Sequence, residues 1–262
     1  MNIIALSPKD LLIASGFIFL AGGLSLFLEL GIARRLLIAA LRTVIQLTLL
    51  GFLLESIFAL KSPYPVLLLL FFMTLMAGRE AASRTRKRYA RILLDTTLAM
   101  GISAFFVGAI VTQIVVGVKP WYHPQYVIPL LGMILGNALN GVSLALDSFL
   151  DYLLSRQDEI ELYLVFGAEP LEALKAPFRH AIRRGLIPII NAMSVAGIVS
   201  LPGMMTGQIL AGTPPLQAVA YQILVMFMLA GAYTFGSMLV VFLAGRKILG
   251  AELRLRRELL KN

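Results

Sequence analysis

The run VAYQILVMFMLAGAYTFGSMLVVFLA, residues Val219–Ala244, carries no charged side chain from one end to the other. As an α-helix, rising about 1.5 Å per residue, it is long enough to cross the roughly 30 Å hydrocarbon core of a bilayer. Six further apolar runs are bounded by charges or by Pro and Gly. The seven predicted spans are Leu11–Ala33, Leu36–Leu60, Pro63–Gly78, Ile92–Gly117, Val127–Leu146, Gly185–Leu210 and Val219–Ala244. The sequence therefore predicts an all-α integral membrane protein whose residues 1–262 form a single transmembrane domain.

The overall composition agrees with a membrane location. Of the 262 residues, 59% are hydrophobic and 14% are charged, whereas a soluble domain is about a quarter charged. The first apolar run lacks a basic segment before it and continues directly into Arg34 and Arg35, so we interpret it as a mature span and not as a signal peptide. The absence of cysteine excludes disulfides, thiolate metal sites and cysteine nucleophiles.

Basic residues predict the orientation of the spans. If the Arg79–Arg91 connection is cytoplasmic, alternation places 19 of the 23 Lys and Arg residues on that side and leaves only Lys9, Lys61 and Lys119 outside. Cationic loops resist translocation, so we predict an outside N-terminus, a cytoplasmic segment 147–184 and a cytoplasmic tail 245–262. The same distribution excludes a nucleic-acid-binding face. Contact of the basic 84–91 cluster with anionic membrane lipid is an additional prediction.

Several kinds of chemistry are missing from the chain. Both histidines, His123 and His180, lie outside the predicted spans, so an intramembrane Ser–His dyad or a His-lined metal path is excluded. No phosphate-binding loop of the G-x-x-x-x-G-K-[ST] type occurs. The sequence thus predicts a protein that is not an enzyme and binds no cofactor itself, so that ATP and Mg²⁺ for any active transport would be bound by a partner ATPase.

Of the charged residues inside the predicted spans, three lie in the cytoplasmic third of the bilayer: Arg42, Glu29 and Asp95. A charge at the centre of a membrane helix costs about 2.5–3.5 kcal/mol on insertion scales. We therefore predict a structural ion pair of Arg42 with Glu29 or Asp95. Snorkelling of Arg42 to the membrane surface and contact of Arg42 with a substrate are the alternatives.

Uncharged polar side chains and methionines in the spans are candidates for a transport pathway. The pathway candidates are Gln46, Asn137, Asn140, Asn191, Ser194, Met133 and Met193. The amides and the hydroxyl are equally suited to hydrogen bonding between helices. Thioethers are soft metal ligands, although methionine in a span usually serves packing; Met204, Met205, Met226 and Met228 share this ambiguity. Pro202 and Gly203 predict either a break or a bend in the sixth span.

The polar stretch between the fifth and sixth spans contains a predicted helix–turn–helix. In ELYLVFGAEP (Glu161–Pro170), Gly167 permits a left-handed helix stop and Pro170 suits the first position of a new helix. A short elbow with apolar residues at its tip is suited to insertion into a groove of another protein. A solvated surface hairpin is the alternative.

The spacing of Glu161, Gly167, Ala168 and Pro170 resembles the coupling loop of ATP-binding-cassette permeases. Three further runs, LRTVIQL from Leu41, VIPLLGMILGNA from Val127 and VSLPGMMTG from Val199, resemble the bacterial iron-export permease family, which includes the plant aluminium-tolerance permeases. This resemblance implies a homodimeric permease of the bacterial inner membrane that pairs with an ABC ATPase subunit, couples to it through those four residues, and exports iron or a related metal ion.

Two other classes of function stay open at this point. A secondary transporter would run on an ion gradient and leave the elbow at Gly167–Pro170 without a partner. A non-transport scaffold or sensor would tolerate changes at Gln46 and Asn137. Within the ABC class, a non-metal substrate such as a nucleotide sugar is a further alternative, because the sequence has no cluster of carboxylates or histidines of the kind that usually binds a metal ion.

Overall fold

The computed structural model describes residues 6–60 and 62–249. These residues form ten α-helices: α1 Pro8–Phe27, α2 Ala33–Leu60, α3 Pro63–Arg84, α4 Ile92–Ala109, α5 Pro124–Ser155, α6 Gln157–Val165, α7 Pro170–Ala173, α8 Lys175–Val195, α9 Gly203–Leu210 and α10 Pro215–Ile248. A π-helical turn, Ile110–Val115, extends α4. The all-α prediction is therefore confirmed. Lys61 and the tail beyond Leu249, which entered the orientation prediction, lie outside the described residues.

Six of these helices are long and apolar enough to cross a membrane: α1, α2, α3, α4 with its π turn, α5 and α10. The predicted sixth span, Gly185–Leu210, is not one helix, because α8 ends at Val195 and α9 begins only at Gly203. Helix α8 also begins among charged residues at Lys175, well before the predicted span. The prediction of about seven spans thus becomes six continuous helices and one broken segment.

The helices divide into two compact units, one comprising Met1–Ser62 with Leu210–Thr213 and the other Pro63–Ile209 with Pro214–Asn262. In the first unit, Ser7 caps α1 and exchanges hydrogen bonds with Asp10 in a capping box, with Pro8 at the first helical position. Helix α2 starts at Ala33. Arg34 and Arg35 therefore belong to the first turn of α2 and not to a loop.

The second unit is a bundle built around α5, which packs against α3, α4, α8 and α10. Three helices approach one another most closely at two glycines. A Cβ added to Gly141 of α5 would lie 2.4 Å from Cδ1 of Tyr233 in α10, and one added to Gly185 of α8 would lie 2.8 Å from Cβ of Ala145 in α5. Small residues let membrane helices pack with their backbones close together. Elsewhere in α5, a Cβ added to Gly132 would lie 3.1 Å from Cε of Met73 in α3, whereas one added to Gly136 would meet nothing within 4 Å.

The broken segment makes the orientation of the chain directly testable. With the predicted outside N-terminus, the C-terminus is cytoplasmic only if the α8–α9 segment completes a crossing. We expect reporter fusions after Lys87 and after Asn262 to report the cytoplasm, and fusions at Tyr122 and Thr213 to report the outside. A C-terminal reporter on the same side as Thr213 would contradict a crossing by α10, and a Thr213 reporter on the opposite side from Tyr122 would contradict a crossing by α8–α9.

Candidate functional site

The helix–turn–helix between α5 and α8 has the geometry that its sequence predicts. Helix α6 is terminated by Gly167 at φ 88°. The amide of Gly167 donates to the carbonyl of Leu164 and the amide of Ala168 donates to the carbonyl of Tyr163, both at 3.0 Å. This pair of bonds is a Schellman motif, which requires a left-handed residue at the position of Gly167. Because glycine adopts that conformation without a steric cost, the turn is fixed by one residue.

The chain restarts immediately as a second short helix. Pro170 occupies the first position of α7, and Glu169 and Glu172 form a capping box in which the amide of Glu169 donates to the carboxylate of Glu172 at 3.1 Å. The helix is only four residues long before α8 begins at Lys175. We refer to residues 157–174, which comprise α6, the Gly167 turn and α7, as the elbow.

The tip of the elbow is apolar and exposed. Val165 is 80% exposed and Phe166 is 81% exposed, and Leu162, Tyr163 and Leu171 are also more than half exposed. Glutamates flank the tip on both sides, at Glu161 and Glu169. Large apolar side chains clustered on an exposed protruding turn are typical of a surface that binds another protein.

The base of the elbow, in contrast, is fixed to the bundle. Leu174 is 2% exposed. Phe178, in the first turn of α8, stacks on the fully buried Phe149 of α5 at 5.4 Å between ring centroids. A Cβ added to Gly245 of α10 would lie 2.9 Å from the ring of Phe178 and 3.1 Å from Leu174. The base of the elbow is therefore close-packed against α5 and α10.

The predicted interruption near Pro202 and Gly203 is a true break. Helix α8 ends at Val195, because Ala196 adopts an extended backbone conformation and Gly197 has a φ of 81°. The amide of Gly197 donates to the carbonyl of Ser200 at 2.8 Å, which closes a small loop before α9 begins at Gly203. The break thus lies at residues 196–202. Pro202 and Gly203 mark the start of the following helix.

A cavity of about 480 Å³ adjoins this break, bounded by α8, α9 and α10. Met193, Met205 and Met226 line it together with Gln222, and most of the remaining lining is apolar. The side chain of Gln222 is buried, and its Oε1 accepts no hydrogen bond from the part of the chain that the structure describes. We refer to this space as the helix-break cavity.

Of the predicted pathway residues in the second unit, Met193 alone lines the helix-break cavity. Asn137 donates to the carbonyl of Met133 in its own helix at 2.9 Å, and Ser194 donates to that of Ile190 at 2.8 Å. Asn140 accepts from the guanidinium of Arg84 in α3 at 2.7 Å. Asn191 is exposed.

Gln46 belongs to the first unit and is exposed, so its place in one transport pathway with the other candidates stays a prediction. The sequence interpretation named Met205 and Met226 as possible thioether ligands, but it did not group Gln222 and Met226. The i, i+4 spacing of Gln222 and Met226, which places both on one face of α10, is the signal that would have grouped them.

Asp95 has partners within its own unit that the sequence interpretation did not name, while its pairing with Arg42, which belongs to the first unit, stays a prediction. The carboxylate of Asp95, whose side chain is 2% exposed, is bonded to Lys247 of α10 and accepts a hydrogen bond from the hydroxyl of Tyr89 at 2.8 Å. Both carboxylate oxygens are thus occupied within the second unit. Burial, and secondly the bond to Asp95, raise the pKa of Tyr89 far above its ordinary value, so its hydroxyl stays a donor. Among the described residues, Glu29 and Arg42 form no ion pair with each other.

The described residues contain no group of three or more His, Asp or Glu side chains that is placed to hold a metal ion. A metal site in this part of the chain would therefore need other donors. Thioethers, amide oxygens and backbone carbonyls are the remaining neutral donors.

Comparison with known proteins gives a consistent assignment. The model of an uncharacterised protein family, UPF0014, matches residues 8–249. The UPF0014 membrane protein slr1647 of Synechocystis is 40% identical, over 80% of this chain and 82% of its own length. The probable iron export permease protein FetB of Escherichia coli is 32% identical, over 84% and 83%. The protein ALUMINUM SENSITIVE 3 of Arabidopsis thaliana is 31% identical, over 86% and 81%. No solved structure matches.

These relatives confirm the resemblance that the sequence motifs indicated. With six membrane-spanning helices and relatives named as membrane proteins, the chain is a multi-pass membrane protein, and its bacterial relatives fit an inner-membrane location. One of these relatives is named as a probable permease, which is a transport protein. This chain belongs to the UPF0014 family of membrane proteins.

Proposed function

We propose that this chain is the permease subunit of an ABC transporter that exports iron or a related metal ion from the cytoplasm. A separate ATPase subunit docks on the elbow and supplies the energy of ATP hydrolysis. The observation that carries the proposal is the elbow itself, with an exposed apolar tip at Val165 and Phe166 and a base packed into α5 and α10. A surface hairpin with no partner would have no need for both features.

The substrate part of the proposal is supported by the relative named as a probable iron export permease. The direction of transport and the homodimeric assembly belong to the same proposal. Helices α1 and α2, both long enough to cross a membrane, present mostly apolar surfaces. Such surfaces suit contact with lipid or with a second copy of the chain.

The decisive experiment is reconstitution with a candidate ABC ATPase of the same organism, with any ATPase gene adjacent to that of this chain as the first choice. We expect the two proteins to co-purify and to move Fe²⁺ across liposomes only when ATP is present. A matched complex, whose ATPase lacks the phosphate-loop lysine, should assemble normally and transport at the ATP-free background rate. Movement driven by a proton gradient without ATPase would instead identify a secondary transporter. ATP-driven movement of a nucleotide sugar but not of Fe²⁺ would leave the ABC assignment intact and exclude the metal.

A further inference from the structure

The helix-break cavity has an unusual set of donors for a space inside a membrane protein. Three thioethers reach it from three different helices, Met193 from α8, Met205 from α9 and Met226 from α10. If these side chains served only for packing, any apolar residue could occupy the three positions, and three sulfur atoms around one cavity would not be needed. Sulfur atoms from separate elements around one cavity are an arrangement that can surround a single ion.

The amide of Gln222 provides a second and independent observation. Gln222 is 7% exposed, lines the cavity, and has a buried Oε1 without a hydrogen-bond partner among residues 6–60 and 62–249. A buried acceptor left without a hydrogen-bond partner destabilises the protein. A cation or a hydrogen-bond donor bound to this oxygen would remove that destabilisation. Gln208, in the same short helix as Met205, also has a buried Oε1 without a partner in the described chain.

The backbone at the break contributes to the same cavity. Ala196 and Gly197 line it, and neither lies within a helix. Irregular backbone at membrane depth is tolerated where it lines a cavity, and in transporters such breaks commonly form the substrate site.

The donor chemistry limits the ligand. The described lining of the cavity includes no carboxylate and no imidazole. Hard cations such as Mg²⁺ and Al³⁺ require carboxylate, carbonyl and water oxygens, whereas thioethers select soft metals. Neutral donors also leave the charge of the ion uncompensated, and this favours an ion of low charge in a medium of low dielectric constant.

We propose that Met193, Met205 and Met226, with the amide oxygen of Gln222, form a binding site for a soft or borderline transition-metal cation. Monovalent Cu⁺ and Ag⁺ bind most tightly, Fe²⁺ binds more weakly, and Mg²⁺ and Al³⁺ are rejected. This inference rests on the proposed metal transport and names the class of ion. It assigns the site to the break between α8 and α9.

Methionine-to-leucine substitution tests the site with little change in shape, because Leu and Met are close in volume. We expect the purified full chain to bind Ag⁺ in equilibrium dialysis with elemental analysis. Met193→Leu, Met205→Leu and Met226→Leu should each raise the Kd for Ag⁺ by at least about tenfold, the smallest loss seen when even an outer-shell partner of a metal is removed. The triple variant should bind none.

Two neighbouring methionines provide matched controls. Met204 precedes Met205 in α9 and Met228 follows Met226 in α10, and neither lines the cavity. Met204→Leu and Met228→Leu should therefore bind Ag⁺ like the wild type. Thermal unfolding in detergent checks that all variants are folded.

The outcomes separate this inference from the proposed function. Unchanged Ag⁺ binding by the triple variant, equal losses in the controls, or displacement of Ag⁺ by equimolar Mg²⁺ or Al³⁺ would overturn the site. ATP-driven Fe²⁺ movement that persists in the triple variant would overturn the site and keep the proposed function. Ag⁺ binding that depends on the three methionines, together with no Fe²⁺ binding or movement, would support the site and reject iron as the substrate.

Discussion

Gly167→Val is expected to abolish ATP-driven transport while the variant still inserts into the membrane. Gly167 has φ 88°, a conformation that costs an L-residue about 1–2 kcal/mol and a β-branched one more. Nothing lies within 4 Å of a Cβ placed there, so the variant suffers backbone strain and no steric clash. The chain relieves that strain by rotating away from the left-handed region. This rotation breaks the bond from Ala168 to Tyr163 and moves α7 relative to α6.

The spanning helices should persist in this variant because the base of the elbow is anchored independently, through Leu174 and through Phe178 on Phe149. We would reconstitute the variant with its ATPase and measure three quantities: co-purification of the two subunits, ATP hydrolysis and Fe²⁺ movement. The expected result is normal insertion, weakened association with the ATPase and transport at background.

Two control variants isolate the cause. Asparagine tolerates the left-handed region better than other side chains, so Gly167→Asn should retain most of the transport. Gly117, at φ 70° and with equally open surroundings, lies in the connection between the π turn and α5. Gly117→Val carries the same strain at the predicted outer face and should transport normally. Equal loss in both valine variants would indicate general destabilisation, and wild-type transport by Gly167→Val would reject the elbow as the coupling element.

Local sequence signals predicted the elbow because its geometry depends on local bonds. A glycine followed three residues later by proline specifies a left-handed stop and a helix restart within one turn, and no distant contact is needed. The membrane helices were predicted for a similar reason, since span length and hydropathy are properties of a continuous stretch.

The break in the sixth predicted span was placed a few residues too late. Residues 196–202 read AGIVSLP, an almost entirely apolar run whose hydropathy does not differ from that of a helix. Because proline disfavours a helix, the interruption was predicted at Pro202–Gly203. In the structure the helical conformation ends earlier, at Ala196 and Gly197. The helix-break cavity depends on side chains from three helices, and such convergence cannot be obtained from the spacing within any one of them.

The partner of Asp95 was missed because helix α10 is longer than its apolar run. The predicted span ended at Ala244, and the residues after it were assigned to a cytoplasmic tail. In the structure α10 continues to Ile248 and carries Lys247 to Asp95. A contact between residues so distant in the chain is set by helix packing.

Lys247→Met is expected to be among the most destabilising single substitutions in the second unit. It leaves Asp95, whose side chain is 2% exposed, with only the hydroxyl of Tyr89 as a partner. Breaking a buried ion pair by removing one partner costs about 3–5 kcal/mol. Tyr89→Phe should cost less, about 1–3 kcal/mol, because the carboxylate keeps its cation. Both values are measured as losses in the free energy of unfolding in detergent.

The control is the ion pair of Lys87 with Asp151, at 3.2 Å and with the Asp151 side chain 53% exposed. Lys87→Met should cost no more than about 1 kcal/mol, as is usual for exposed pairs. The contrast between the two lysine variants therefore measures the effect of burial and not the effect of removing a positive charge.

A double variant then identifies the true partner of Asp95. Combining Lys247→Met with Asp95→Leu removes the uncompensated carboxylate and should recover much of the stability, since apolar replacement of a buried pair is often neutral. Arg42→Leu combined with Asp95→Leu should show no such recovery if Lys247 is the cation that compensates Asp95. Recovery with Arg42→Leu but not with Lys247→Met would restore the pairing that the sequence predicted. It would also show that Asp95 changes partner in the assembled transporter.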